Sequence, residues 1–471
     1  MKFSVWPCVV ATTLFVGCSG DDAADVTSTE PTETGVGPVA PGGSVTPGGS
    51  VTPGGTGAPV TSVTPSVSPS PTGNPPSPNP TGVTPTAPSE GVPTEQPGPL
   101  PSTPTDATPT TQPGPTPVEP NEPAACEPDS CAFEGGISNG CTTRFALGIN
   151  YAWHDFGADF GGLAQWSMGG ITANQATIKR ELTDMRANGV SVVRWWMFPD
   201  FRGDGVQFDE QDNPTGLSET ALTDIQTALA LAAEQDLYIV LTLFSFDNFR
   251  PTRTDAGVLV RGMTPLVKDP ARRARVIDNI VKPAARAAAN SPNAHRLLGW
   301  DVINEPEWAI AESGLDDQDF TPNDELDAVT LDEMKALINE ALAALAAETP
   351  KALRSVGWAA AKWAWAFTDV TNVDFHQPHI YGWVDRYWPY TATPTELGYG
   401  DKPTVMGEFY MLPMPFSDSG NDVTFATILS SWYDNKYAGA WAWSYTDENS
   451  GPTNTPLIKA FADTKACEVS F

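Results

Sequence analysis

Two glutamates stand where they could do acid/base work. Glu305 lies in Trp300-Asp-Val-Ile-Asn-Glu-Pro-Glu-Trp308, and Glu408 in Pro403-Thr-Val-Met-Gly-Glu-Phe409. Each follows a short apolar run of the kind a buried parallel strand requires. Each is followed at once by a residue that suits a strand-to-loop exit. Two carboxyl groups delivered in this way to one end of a barrel can hydrolyse a glycosidic bond. One, protonated, donates to the leaving oxygen, while the other, ionised, attacks the anomeric carbon. A separation of roughly 5 Å gives retention, and about 6.5–9.5 Å gives inversion. The two environments must therefore hold the carboxyl pKa values apart. This chemistry calls for no cofactor and no metal.

The elements that must position these residues begin at Arg144. Predicted strands are Phe145–Tyr151, Ser191–Met197, Tyr238–Leu243, Leu298–Ile303, Arg354–Trp358, Asp374–His379, Thr404–Gly407 and Gly439–Trp443. Helical patterns fall between them at Asn174–Asn188, Glu219–Gln235, Ala271–Asn290, Leu331–Glu348, Val423–Asn435 and Leu457–Thr464. The first of these closes on Asn188-Gly189, a good C-terminal stop. Short apolar strands in βα alternation predict an α/β chain folded as a (β/α)₈ TIM barrel. Glu305 then ends the fourth strand and Glu408 the seventh. A doubly wound open sheet is the rival. No Gly-rich phosphate loop follows any strand, which argues against its nucleotide-binding forms.

With these motifs in place, the chain resembles the glycoside hydrolases of clan A, and most of all the family 5 glycanases. The resemblance covers about Arg144 to Thr464. It implies a retaining mechanism through a glycosyl-enzyme intermediate, with Glu305 of Asn304-Glu305 as acid/base and Glu408 as nucleophile. It also implies that Arg194, in Val192-Val-Arg-Trp-Trp196, hydrogen-bonds the nucleophile. An arginine inside an apolar strand needs a buried partner in any case. Asn304 is expected to meet the sugar 2-hydroxyl. His379 and Tyr381, in Pro378-His-Ile-Tyr-Gly382, match a sixth-strand His-x-Tyr: the tyrosine would contact the nucleophile and the histidine would line the pocket. His376 is a rival for the histidine's place. Trp443 matches the tryptophan that floors the subsite of the cleaved sugar, with Trp441, of the same parity, as its rival. One departure stands out. The third strand, Tyr238 to Asp247, carries no histidine where many family 5 enzymes have one, so Asp247 or Asn248 would have to substitute.

Many of the 15 tryptophans fall in predicted strand-end loops: Trp153, Trp166, Trp196, Trp308, Trp363, Trp365, Trp383 and Trp388. Any single one is explained by core packing. As a set they suggest a cleft lined with indole faces that stack on pyranose rings, with Trp153 and Trp308 near the glutamates. The acidic run from Asp316 to Asp327 lacks the Gly-punctuated spacing of a calcium loop and reads as a solvated loop.

The rest of the chain predicts where this chemistry happens. Lys2 and the apolar stretch Val5 to Val16 read as an export signal, too short to span a bilayer. It ends in Leu14-Phe-Val-Gly-Cys18, which resembles a bacterial lipobox with Cys18 as the lipidated residue, although Phe15 stands where leucine is usual. The expected domains are a signal at 1–17, a linker at 18–125 and a catalytic domain at 126–471. The linker is rich in Pro, Thr, Ser and Gly and repeats Pro41-Gly-Gly-Ser-Val-Thr46 at Pro47–Thr52, so it buries too little apolar surface to fold. Cys126, Cys131, Cys141 and Cys467 remain, as expected of disulfides in an exported chain. They allow three pairings, among which sequence cannot choose. The net charge of −31 disfavours nucleic acid as a partner and leaves a neutral polysaccharide unpenalised. The expectation is a monomeric retaining β-glycanase, anchored by lipid to a bacterial envelope or free outside the cell, with β-mannan or β-1,4-glucan as leading substrates. An exo-acting β-glycosidase or transglycosylase on the same barrel is one alternative, and a non-catalytic carbohydrate-binding protein is another. A peptidase or esterase is unsupported, because neither a Gly-x-Ser-x-Gly elbow nor a His-Glu-x-x-His helix is present.

Overall fold

The computed structural model describes residues 126–314, 319–382, 389–415, 422–446 and 451–471. Cys18, Asp316, Asp317, Trp383 and Trp388 lie outside them.

The parallel strands are β1 (Ala146–Asn150), β2 (Val192–Trp196), β3 (Tyr238–Ser245), β4 (Leu297–Asn304), β5 (Leu353–Trp358), β6 (Gln377–Pro378), β7 (Val405–Met406) and β8 (Gly439–Ala442). Each lies beside its neighbour in sequence, and β8 returns to β1 with Gly439 opposite Ala146. β6 and β7 meet through bridges at His376–Thr404 and His379–Glu408. Val405 N donates to His376 O, and Gly407 N to Pro378 O, each at 2.8 Å. The sheet is therefore closed, and sequential order round the ring rules out the doubly wound alternative.

The helices are α1 (Gly170–Ala187), α2 (Glu219–Glu234), a composite α3 over 270–289, α4 (Leu331–Glu348), α5 (Phe425–Asp434) and α6 (Thr455–Lys465). α2 starts where Ser218 Oγ accepts from Ala221 N, and it buries Ala221, Ile225, Ala228, Leu229 and Ala232 along one stripe. α4 opens on a capping box in which Thr330 and Glu333 satisfy each other's backbone N–H groups. α1 ends at Asn188, and Gly189 takes φ +85°, a conformation that suits only glycine at little cost. α3 is interrupted by a π turn at Ile277–Val281. After β5 a 3₁₀ segment, Ala361–Phe367, stands where a barrel helix would begin.

Inside the barrel, two layers differ in kind. The lower is apolar: Ala146, Val192, Val240, Leu298, Phe375, Val405 and Trp441 pack together with Ile137 of an underlying hairpin. Trp441 fills space that Gly148 leaves free, for a Cβ there would lie 2.4 Å from its Cδ1. Side chains as buried as these contribute about 1.5–3 kcal/mol each. Beneath the plug, disulfides join Cys126 to Cys141 and Cys131 to Cys467. Arg144 pairs with Asp129, and its Nε donates to Ser470 O at 2.8 Å. The two ends of the domain are thus fastened together under the barrel.

Candidate active site

Above the plug the interior turns polar. Arg194, on β2, is fully buried and uses all five of its N–H donors. Nε and Nη2 reach Asp301 at 2.9 and 2.6 Å, and Nη2 also reaches Asn304 Oδ1 at 2.8 Å. Nη1 donates to Asn150 Oδ1 at 2.8 Å and to Glu408 Oε1 at 2.6 Å. A guanidinium buried this deeply is tolerable because two carboxylates share its charge and each proton has an acceptor. Asp301 is fixed in turn by Thr242 Oγ1 at 3.1 Å, Gly357 N at 2.9 Å and Gln377 Nε2 at 3.3 Å. Asn150 Nδ2 donates to Gly407 O at 2.9 Å, which ties the β1 exit to the residue before Glu408. Since Arg194 holds the amide oxygen of Asn304, the amide N–H groups of that residue remain as donors.

Glu305 follows Asn304 with φ +49°, a left-handed conformation that costs a non-glycine residue of order 1–3 kcal/mol. Its backbone N–H donates to Gly357 O at 2.6 Å. The strained turn carries its carboxyl to His379 Nδ1 and to the indole N–H of Trp308, each at 2.8 Å. Two residues on, Glu307 is buried and accepts from Ala359 N at 3.0 Å, pinning this turn to the β5 exit. Glu408 receives Tyr381 Oη at 2.8 Å as well as Arg194. Oxygens of Glu305 and Glu408 and Nδ1 of His379 all lie within 4.8 Å of one another.

Burial pushes the Glu305 carboxyl up to about 7, while the Trp308 indole and the more distant Arg194 pull it back. Burial also raises Glu408, and there the Arg194 guanidinium and the Tyr381 hydroxyl oppose it. The direct guanidinium and phenol bonds fall on Glu408, so charge is held best on that residue. His379 is held down at about 4 by burial, and its ring is neutral near neutrality. Burial pushes Glu307 up to about 8, so its carboxyl is neutral at pH 7.

Aromatic rings flank both glutamates. Beside Glu408, Tyr381 packs on Tyr410 at 4.8 Å, and Trp443 faces Trp196 and Trp153 at 5.5 and 6.2 Å. Beside Glu305, Trp308 meets Trp363 edge-on at 5.6 Å. Of the two rivals named from sequence, Trp441 lies one layer down in the plug, with its indole N–H on Ala146 O at 3.1 Å. His376 pairs with Asp401 at 2.9 Å and packs at a tilt on Tyr399, away from the glutamates. Asp247 is held by Arg250 at 2.9 Å, and the Asn248 amide oxygen turns back to accept from Ser245 N at 2.8 Å. Neither supplies a contact to Glu305 or Glu408. Sequence reasoning passed over Asp301, Asn150, Gln377 and Glu307. Asp301 carried a usable signal, a carboxylate between Trp300 and Val302 inside an apolar strand.

A closed parallel barrel with paired glutamates past β4 and β7 is the arrangement that acid/base hydrolysis of a glycosidic bond requires, and in it the chain resembles the glycoside hydrolases of clan A. No family model matches the chain. In sequence it is 25% identical over 334 residues to mannan endo-1,4-β-mannosidase of Mytilus edulis, covering 64% of this chain and 84% of that one. The corresponding enzyme of Cryptopygus antarcticus is 24% identical over 346 residues, covering 65% and 81%. The fold is similar to that of the Mytilus edulis β-mannanase, with a TM-score of 0.56 at 23% identity over 70% of this chain and 95% of that one. The β-1,4-mannanase of Aplysia kurodai gives a TM-score of 0.54 at 21% identity over 68% and 94%.

Proposed function

We propose that this protein is a retaining β-mannanase that cleaves β-1,4-linked mannan by double displacement. The observation that carries the mechanism is the pair of carboxyl groups within 4.8 Å, with the guanidinium and phenol bonds on Glu408. That spacing is the close one that goes with direct attack, not the wider one that seats a nucleophilic water. Glu408 attacks the anomeric carbon, and Glu305 gives its proton to the departing oxygen. Glu305, now ionised, takes a proton from water as the water oxygen attacks the same carbon. The bond to Glu408 breaks, and both residues return to their starting states. Asn304 donates to the 2-hydroxyl, a bond that strengthens in the transition state. Trp443 floors the subsite of the cleaved sugar. Mannan is favoured over β-1,4-glucan because both sequence relatives are mannan endo-1,4-β-mannosidases.

Purified protein comprising residues 126–471 should release oligosaccharides from β-mannan. Glu408→Ala should abolish turnover, and azide should restore it with a glycosyl azide as product. Wild-type activity in that variant would overturn the assignment, and release of monosaccharide alone would point to exo action. We also propose that residues 1–17 direct export and that Cys18 is lipidated, which would place the domain on the cell envelope. Palmitate labelling that persists in Cys18→Ala would refute the anchor.

A further inference from the structure

We propose that Glu307 is a positioning residue for the proton donor, a neutral carboxylic acid whose carbonyl oxygen clamps the strained turn of Glu305 to the exit of β5. The inference rests on the reading of Glu305 as acid/base. In a parallel ladder, a residue donates its N–H to one carbonyl of the neighbouring strand and accepts, through its own carbonyl, from the N–H two residues further on. Glu305 N donates to Gly357 O at 2.6 Å, so the next rung of a regular ladder would run from Ala359 N to Glu305 O. Glu305 instead turns left-handed, Pro306 follows, and the Glu305 carbonyl accepts from Trp308 N at 3.3 Å. The Glu307 side chain supplies the acceptor for Ala359 N, at 3.0 Å. A carboxyl group thus completes the ladder where the chain leaves it. A φ of +49° at a glutamate persists only while its neighbours over-determine it, and this clamp is one of them.

The surroundings of this carboxyl suit an acid and not an anion. Glu307 is 1% exposed, and its Oε1 is buried with no hydrogen-bond partner among the described residues. The charged group acting on it is Glu305 of the same turn, which has the same sign. Tyr399, from the segment before β7, is near enough to feel its charge and is itself held neutral by burial. One backbone N–H cannot offset a full buried charge, whereas an unpaired hydroxyl costs far less. Burial accordingly pushes this group up to about 8. An ionised Glu307 would also set a second negative charge beside Glu305 and hold the donor's proton more tightly. The neutral acid keeps the clamp without that effect.

The test compares Glu307→Leu and Glu307→Gln with the wild type. Leucine fills the space but leaves Ala359 N without an acceptor and the Glu305 turn unclamped. On β-mannan its kcat should fall about 10- to 100-fold, with KM within about threefold. Glutamine is neutral and keeps a carbonyl acceptor, so it should recover kcat to within about threefold of the wild type. The basic limb of its kcat/KM profile should stay within about 0.3 pH unit. If Glu307 worked as an anion, that limb would move further to lower pH, and such a shift overturns the proposal. Wild-type kcat in the leucine variant overturns it as well. Azide separates a fault at Glu305 from general disorder. Dinitrophenolate departs without a proton, and azide attacks the glycosyl-enzyme without a base. With a dinitrophenyl β-mannoside, azide should therefore restore turnover of the leucine variant and yield the glycosyl azide. Turnover that stays low refutes a role through Glu305.

Thermal unfolding gives a readout that needs no substrate. The unfolded chain ionises this glutamate above about 4.5, whereas the folded chain holds its proton up to about 8. The group therefore costs the wild type stability as pH rises through that window, and glutamine has no proton to hold. The Tm of Glu307→Gln relative to the wild type should climb from about pH 5 to about pH 8, and a constant difference overturns the neutral acid. Absence of mannan hydrolysis by the wild type would count against the functional reading alone.

Discussion

The two layers inside the barrel are built from the same strands yet obey opposite rules. On β2, Val192 belongs to the plug and Arg194, two residues on, to the site; on β3, Val240 and Thr242 divide in the same way. The lower layer gains stability from apolar area withdrawn from water, and its members could exchange for others of similar volume. The upper layer takes charge out of water, and it is tolerable only while each donor and acceptor is paired. Its arrangement is therefore specified residue by residue, where the plug is specified mainly by volume.

Arg194→Met should break this contrast most severely. It strips Glu408 of its cation and leaves Asp301 buried without one, so kcat should fall about 10²–10³-fold and the fold should lose about 3–5 kcal/mol. Steady-state kinetics and denaturant melts would measure both, and a fully active variant would refute the role given to this network. Removing the lower staple with Cys131→Ser and Cys467→Ser should cost about 3–5 kcal/mol, since it frees a loop whose ends lie 336 residues apart. Activity at 25 °C should be unchanged in whatever remains folded. Leu298→Ala, in the plug, should cost about 2–4 kcal/mol with kcat near wild type, and a large kcat loss would mean that the layers are coupled. The smallest effect concerns pH. Glu305 must carry a proton to act, and burial holds it near 7, so kcat/KM should fall as pH rises through about 7. Trp308→Phe withdraws a bond that favours the charged carboxylate, so this limb should move to higher pH by up to about one pH unit. A shift to lower pH would contradict that account.

The contrast also explains what could be read in advance. β1 to β4 and β8 are largely apolar runs, and the pattern locates them, and β5, to within a few residues. β6 and β7 were harder, because their ladder reduces to short strands and single bridges, and predicted ends at Asp374 and Gly407 overran them. The predicted helix at Ala271–Asn290 contains a π turn that no periodicity signals. Arg194, Glu305, Glu408 and Tyr381 were legible because a polar group in or just past an apolar strand demands a partner. Asp301 made the same demand and went unread, for it lacks a motif of its own. Choosing Trp443 over Trp441 required depth along the barrel axis, which parity cannot supply. The disulfide pairing depends on how the chain end folds beneath the barrel, which no local pattern records.

The fastening under the barrel has a mechanical side. A pull on the chain before Cys126 enters a loop closed by Cys126–Cys141 and passes through Cys131 to Cys467 at the far end of the domain. The load would be divided between the turn of the short hairpin, which holds Cys141, and the C-terminal helix, which holds Cys467. Reduction of Cys131–Cys467 would remove the path to the C-terminal helix and leave the whole load on the hairpin. The catalytic mouth, at the opposite end of the strands, is outside this line of force.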